Sequence, residues 1–188
     1  MILPIIAYGT PILKKKAEEI QKDYPQLDKL IEDMFETMYE ANGVGLAAPQ
    51  INKSIRLFIV DGSPFAEDDS EMEGFRKVFI NPTILDEEGE EWNFNEGCLS
   101  IPNIREEVSR KPKIRIKYQD EDFNALEEEY EGTKARIIQH EYDHIEGVLF
   151  TDYLSGIKKR LLKGKLSDIS KGNIKVDYRM KFPIKKGR

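Results

Sequence analysis

The chain of 188 residues has one cysteine and two histidines. A lone thiol, Cys98, excludes an intramolecular disulfide, which suits a reducing cytosol and an expected cytoplasmic location. Cys98 is left as a buried apolar residue, a reactive thiol or a metal ligand. A closed structural zinc site needs four protein ligands. Cys98, His140 and His144 make only three, so a Cys/His site of that kind is excluded. No apolar run approaches the ~18 residues that cross a bilayer, so no membrane span is expected. The first residues, MILPIIAYG, have neither a basic leader nor a small-residue cleavage site and read as a core segment.

What is present is ordinary for a folded protein. Hydrophobic residues make up 39% and charged residues 34%, which excludes a disordered chain. The length suits one domain over 1–188. Net charge is −6, unevenly placed. Residues 156–188 hold 12 Lys/Arg against 2 Asp/Glu, a balance of +10, and the other 155 residues carry −16. A basic C-terminal extension on an acidic body is either a solvated helix face or a contact for a polyanion.

Helical spacing of Leu27, Leu30, Ile31, Met34, Phe35, Met38 and Tyr39 predicts a helix from about Pro25 to Ala41, stopped by Asn42-Gly43. Arg56–Asp61 and Lys77–Asn81 read as strands, with an acidic surface loop near Glu67–Glu73. Alternation of Ile114, Ile116 and Tyr118 with Arg115 and Lys117 predicts a half-buried strand. A second helix is expected from a Thr133 cap to about Glu146, ended by Gly147. A third, Ser155–Ser170, carries Ile157, Leu161, Leu162, Leu166 and Ile169 on one side. Lys171-Gly172-Asn173 breaks it, and Ile174–Phe182 reads as a final strand. Strands and helices do not alternate regularly, which favours α+β.

The sharpest signal is His140-Glu-Tyr-Asp-His144 on the second helix. Residues four apart share a helix face, so both imidazoles can reach one ion, with Glu141 close enough to act on its water. Two randomly placed histidines would fall four apart about once in a hundred chains of this length. A catalytic metal site needs a third protein ligand and an open fourth position. No histidine follows His144, and Glu146 is too near along the helix. Cys98, in the Gly- and Pro-bounded segment Asn95-Glu-Gly-Cys-Leu-Ser-Ile-Pro102, is the available donor. The bland readings are a buried thiol for Cys98, an exposed loop amide for Gln50, a plain core residue for Ile137, and a surface ion pair between Glu96 and Arg105.

Three blocks, Gly43-Val-Gly-Leu-Ala-Ala-Pro-Gln50, Glu96-Gly-Cys-Leu-Ser100 and Gln139-His-Glu-Tyr-Asp-His144, resemble those of the peptide deformylases, in the same order. The resemblance runs from about Ile5 to Leu154. It implies a single α+β domain of antiparallel or mixed strands around a central helix bearing the histidine motif, plus a C-terminal helix and strand. It implies a hydrolase that removes the formyl group from the formyl-methionine of nascent chains. Cys98, His140 and His144 would bind the metal, natively Fe2+, with Zn2+ or Ni2+ as substitutes. Glu141 would be general base and then acid for a metal-activated water, and the Gln50 amide and Leu99 N–H would stabilise the oxyanion. Val44, Gly45, Glu96, Arg105 and Ile137 would border the substrate. In relatives a C-terminal helix anchors the enzyme on the ribosome near the exit tunnel. Lys158, Lys159, Arg160, Lys163 and Lys165 are the matching expectation here; no DNA partner is expected. Two rival readings are a zinc endopeptidase, which would leave Cys98 idle, and a non-catalytic relative that binds peptides or ribosomes.

Overall fold

The computed structural model describes residues 1–183. The apolar start forms a short strand, β1 (Ile5–Ile6), buried as its composition requires. Helix α1 (Leu27–Glu40) buries Leu27, Ile31, Met34, Phe35 and Met38 at three- and four-residue spacing, while Glu32, Glu36 and Glu40 stay exposed. Each such burial contributes about 1.5–3 kcal/mol. Tyr39 leaves the expected stripe: it is exposed, and its hydroxyl donates to Asp61 Oδ2 at 2.6 Å. Asn42, at φ 54°, ends the helix in the left-handed region that Asn tolerates.

Next come β2 (Gly45–Ala47), β3 (Leu57–Asp61) and β4 (Arg76–Glu88). The strand expected over Lys77–Asn81 runs on to Glu88, past Pro82. Register shifts in its pairing with the strand at Lys113–Gln119 lie on both sides of the stretch after Asn81, which sits at φ 49°. Such irregularities let a strand carry a proline without a lost ladder bond. Strands β5 (Trp92–Cys98) and β6 (Ile101–Arg110) form a separate antiparallel hairpin. The Gly- and Pro-bounded segment is therefore strand on both sides, with only Leu99 and Ser100 between.

Strand β7 (Lys113–Gln119) buries Ile114, Ile116 and Tyr118, as alternation predicts. Strand β8 (Ala125–Glu131) escaped sequence reading because its glutamates look like loop. They are paired across the ladder instead, Glu127 with Arg115 at 3.0 Å and Glu129 with Lys113 at 3.1 Å. Opposite charges on neighbouring strands favour that register. The large sheet is antiparallel throughout, in the order β2-β3-β4-β7-β8, so β2 is an edge.

Helix α2 (Gly132–Ile145) lies against this sheet and is buried along most of its length. Its cap is not Thr133: Glu131 precedes the first turn and makes no side-chain capping bond. Gly147, at φ 75°, turns the chain out as expected. Helix α3 (Gly156–Lys171) is capped by Ser155, which accepts from Lys158 N–H at 3.3 Å, and ends at Gly172, φ 76°. Leu162, Leu166 and Ile169 are its buried stripe, whereas Ile157 and Leu161 are 68% and 76% exposed. From Leu162, Leu161 lies ~100° and Ile157 ~140° round the helix, since each residue advances it by ~100°. The expected final strand shrinks to β9 (Met180–Lys181), parallel to β1. Residues 174–179 form an irregular strap instead.

The architecture is α+β in one domain, with α2 central.

Candidate metal centre and cleft

Strand β5 and helix α2 supply the centre. The β5–β6 register slips between Gly97 and Cys98, so Cys98 turns off the strand toward α2. One helical turn separates His140 and His144, whose rings stand 5.1 Å apart. Donor atoms of Cys98, His140 and His144 all lie within 4.8 Å of one another, with Cys98 Sγ 3.3 Å from His144 Nε2. A thiol and two imidazoles are a soft donor set suited to zinc or ferrous iron. Among the described residues, no other such group of donors occurs.

Two observations bear on whether a cation fits. Buried Glu141 Oε2 and His144 Nδ1 have no hydrogen-bond partner. Buried polar groups normally have one, so Glu141 is left aimed at something that donates, such as an activated water. Burial pushes the Glu141 carboxyl up to about 7, opposed by His140 and aided by the charges of Glu96 and Asp143. Burial alone would push both imidazoles down. At His140, bonds with Cys98 and Glu96 reverse that and hold it well up, whereas His144, buried and facing a positive His140, stays down. A thiol and two carboxylates around these rings thus call for positive charge, and the residues fit a divalent cation.

Glu96 stands behind the His140 donor. It is 4% exposed. Its Oε1 accepts from Arg110 Nε at 2.7 Å and Arg136 at 2.9 Å, and its Oε2 from Arg110 at 3.1 Å and His140 Nδ1 at 2.9 Å. Despite burial, the bonds from His140 and Arg110 hold its carboxyl far below the usual range. With Nδ1 engaged, Nε2 is the nitrogen His140 has left to offer a metal. The surface ion pair between Glu96 and Arg105 does not exist. Arg105 is exposed, donates to the Asn95 carbonyl at 2.7 Å, and lies over Gly97, where a Cβ would come 2.6 Å from its guanidinium. Arg110 also reaches Asp143 Oδ2 at 2.7 Å.

Gln50 is buried, not an exposed loop amide. It sits in a single 3-10 turn, Ala48–Ile51, right after β2. Ala47 N–H donates to its Oε1 at 2.9 Å, which fixes the amide so that Nε2 faces Ser100 Oγ at 3.2 Å and Cys98 Sγ at 3.5 Å. Leu99 sits at the turn of the β5–β6 hairpin, between Cys98 and Ser100, and lines the same cleft as Gln50.

These groups open into a cleft of about 650 Å3. Val44 and Gly45 form one wall, with the free edge of β2; Leu99, Arg105 and Ile137 also line it. Gly45 is small for a reason: a Cβ there would lie 2.7 Å from Glu141 Cγ. Ile137 is both a cleft residue and core, so its two readings merge. Sequence reading missed Phe65, Phe94 and Lys175–Tyr178, which also line the cleft. It also passed over Arg110 and Arg136, whose only signal is the need of a buried Glu96 for partners.

The family model described as Polypeptide deformylase matches residues 2–160. The peptide deformylase of Christiangramia forsetii is 59% identical over the whole of both chains. That of Flavobacterium psychrophilum is 57% identical, covering 99% of this chain and all of its own. The crystal structure of peptide deformylase from Thermus thermophilus superposes with a TM-score of 0.81 at 41% identity, over 92% of this chain and 99% of that one.

Proposed function

The chain belongs to the polypeptide deformylase family, enzymes that act on formyl-methionine peptides, and we propose how its own residues carry that hydrolysis. The observation that carries the reading is the convergence of Cys98, His140 and His144 beside an unpartnered, buried Glu141 carboxylate oxygen. Cys98 Sγ and one nitrogen of each histidine would hold a divalent cation, Fe2+ by preference, with Zn2+ or Ni2+ able to replace it. When bound, the cation supplies Lewis acidity, lowering the pKa of water from 15.7 towards about 7.

The chain supplies the rest. A formyl-methionyl peptide lies along the free edge of β2, pairing with backbone at Val44 and Gly45, its methionine side chain toward Ile137 and Arg105. Glu141 takes a proton from the attacking water as its oxygen bonds to the formyl carbon. The carbonyl oxygen becomes negative and is held by Gln50 Nε2–H and the Leu99 N–H. Removing one such donor typically costs ~3–4 kcal/mol in the barrier. As the C–N bond breaks, Glu141 returns its proton to the nitrogen, and formate leaves beside a free α-amine. Glu96 takes no part in substrate contact on this reading; it orients His140.

The test is formate release from formyl-Met-Ala-Ser by iron-loaded, zinc-loaded and metal-stripped protein, with Cys98→Ala in parallel. The loaded forms should turn over, while the stripped protein and Cys98→Ala do not, and Cys98→Ala should lose stoichiometric metal. Full turnover by the stripped protein would defeat the metal assignment. Cleavage of an unblocked internal peptide in preference to deformylation would favour an endopeptidase.

The site of action on this reading is the cytoplasm, on nascent chains beside the ribosomal exit tunnel; no helix of the described residues is long and apolar enough to cross a membrane. Helix α3 is the contact we assign to ribosomal RNA. Lys158 is tied to Glu106 at 2.9 Å, so the contact falls to exposed Lys159, Arg160, Lys163 and Lys165. The final five residues of the basic extension lie outside the described residues.

A further inference from the structure

The family match ends at residue 160, yet the cleft is completed by residues 175–178. This strap is held at both ends. Gly172 ends α3 in the left-handed region, and β9 pairs with β1 beyond it. Between them, Asn103 Nδ2 donates to the Lys175 carbonyl at 3.3 Å, and the Tyr178 hydroxyl donates to the Leu99 carbonyl at 2.8 Å. Tyr178 is half-buried, its ring packed with Leu99 against the core cluster around α1 and β2.

Leu99 lies in a two-residue turn between β5 and β6, where the strand register has already slipped. It lies outside the ladder pairs of both strands, so something else must fix the orientation of its peptide planes. On one side Cys98 Sγ sits 3.3 Å from His144 Nε2 and 3.5 Å from Gln50 Nε2; on the other, the Tyr178 hydroxyl grips the Leu99 carbonyl.

We propose that Tyr178 is a positioning residue of the deformylation reaction: by holding the Leu99 carbonyl it keeps the Leu99 N–H aimed at the developing oxyanion, and the strap that carries it forms the outer wall of the substrate cleft. This rests on the assignment of Leu99 N–H as an oxyanion donor. A donor displaced slightly still permits substrate to bind, because the ground-state carbonyl is weakly held. It stabilises the transition state less, so the loss belongs to kcat rather than KM. One hydrogen bond contributes about 0.5–1.5 kcal/mol, which bounds the effect at roughly 3- to 10-fold.

The experiment compares wild type and Tyr178→Phe, both metal-loaded, on formyl-Met-Ala-Ser, with metal content and thermal midpoint measured on each. Phenylalanine keeps the ring in the core and removes only the hydroxyl. The expected result is a kcat lower by about 3- to 10-fold, KM within about twofold and unchanged metal content. Unchanged kcat with a lower thermal midpoint makes Tyr178 structural only and overturns the proposal. A rise in KM alone also overturns it, making Tyr178 a wall contact. If Tyr178→Phe does not fold, Asn103→Gly frees the strap at Lys175 while keeping the left-handed backbone at φ 63°. Its kcat should fall too, and an unchanged kcat overturns the proposal. Absence of deformylation by the wild type would instead strike the functional reading itself.

Discussion

At the scale of single residues, the site is a buried charge problem solved by pairing. Glu141 and Glu96 are both carboxylates within a few residues of the histidines in space, yet they are used oppositely. Glu96 has four hydrogen bonds and stays ionised; Glu141 has an oxygen with none and is pushed up to about 7. A group poised near neutral pH is suited to taking and returning a proton. Glu141→Gln should therefore keep its metal, measured by elemental analysis, while turnover falls ~10²–10⁴-fold. An active Glu141→Gln enzyme would remove it from the mechanism. Glu96→Gln should act differently. It leaves Arg136 buried without its counter-charge and Arg110 with Asp143 alone, a loss of ~3–5 kcal/mol where such pairs are broken. It also releases His140 Nδ1, which should weaken metal binding ~10–100-fold. Urea unfolding and chelator competition read the two effects, and no change in either would make Glu96 dispensable.

Elements matter because β2 and α2 have to approach closely. Gly45 on the edge strand faces Glu141 on the helix, with room for a hydrogen and nothing more. The glycine is required by that approach, since its backbone needs no left-handed conformation. Gly45→Ala should leave the fold intact but push Glu141 or β2 aside. Misplacement of about 1 Å can cost ~10²-fold in rate, so kcat/KM should fall by that order with metal retained. Wild-type kinetics in Gly45→Ala would mean that the contact is slack. The same scale explains which elements were readable. α1, α3 and β7 carry their own apolar period, and α2 is marked by its histidine pair and the Gly147 stop, so local pattern sufficed. β5, β6 and β8 do not. β8 is acidic and gains its partners only from the basic face of β7; β5 and β6 carry polar residues whose neighbours come from α2.

Across the whole molecule, charge is segregated between an acidic body and a basic end. Changing Lys159, Arg160, Lys163 and Lys165 to Glu should weaken co-sedimentation with ribosomes, and added salt should weaken the wild type. Activity on a free formyl tripeptide should stay unchanged, since all four face solvent on α3, away from the cleft. Equal pelleting of parent and variant at low salt would remove α3 as the anchor.

Some of this protein was decided locally. A histidine pair four apart on a helix points to one face whatever surrounds it, because helix geometry is independent of tertiary context. The scarcity of Cys and His then left Cys98 as the natural third donor. Tertiary structure alone decided what depends on distant chain segments meeting. It buried Gln50 with its amide against Ser100 and Cys98, and gave Glu96 to His140 and two arginines rather than to Arg105. It also bent residues 174–179 away from a strand to close the cleft. The physical reason is common to all three. A polar group's role is set by the partners that satisfy it once water is excluded, and for Glu96 those partners lie 14 to 44 residues away along the chain, for the Gln50 amide 48 and 50.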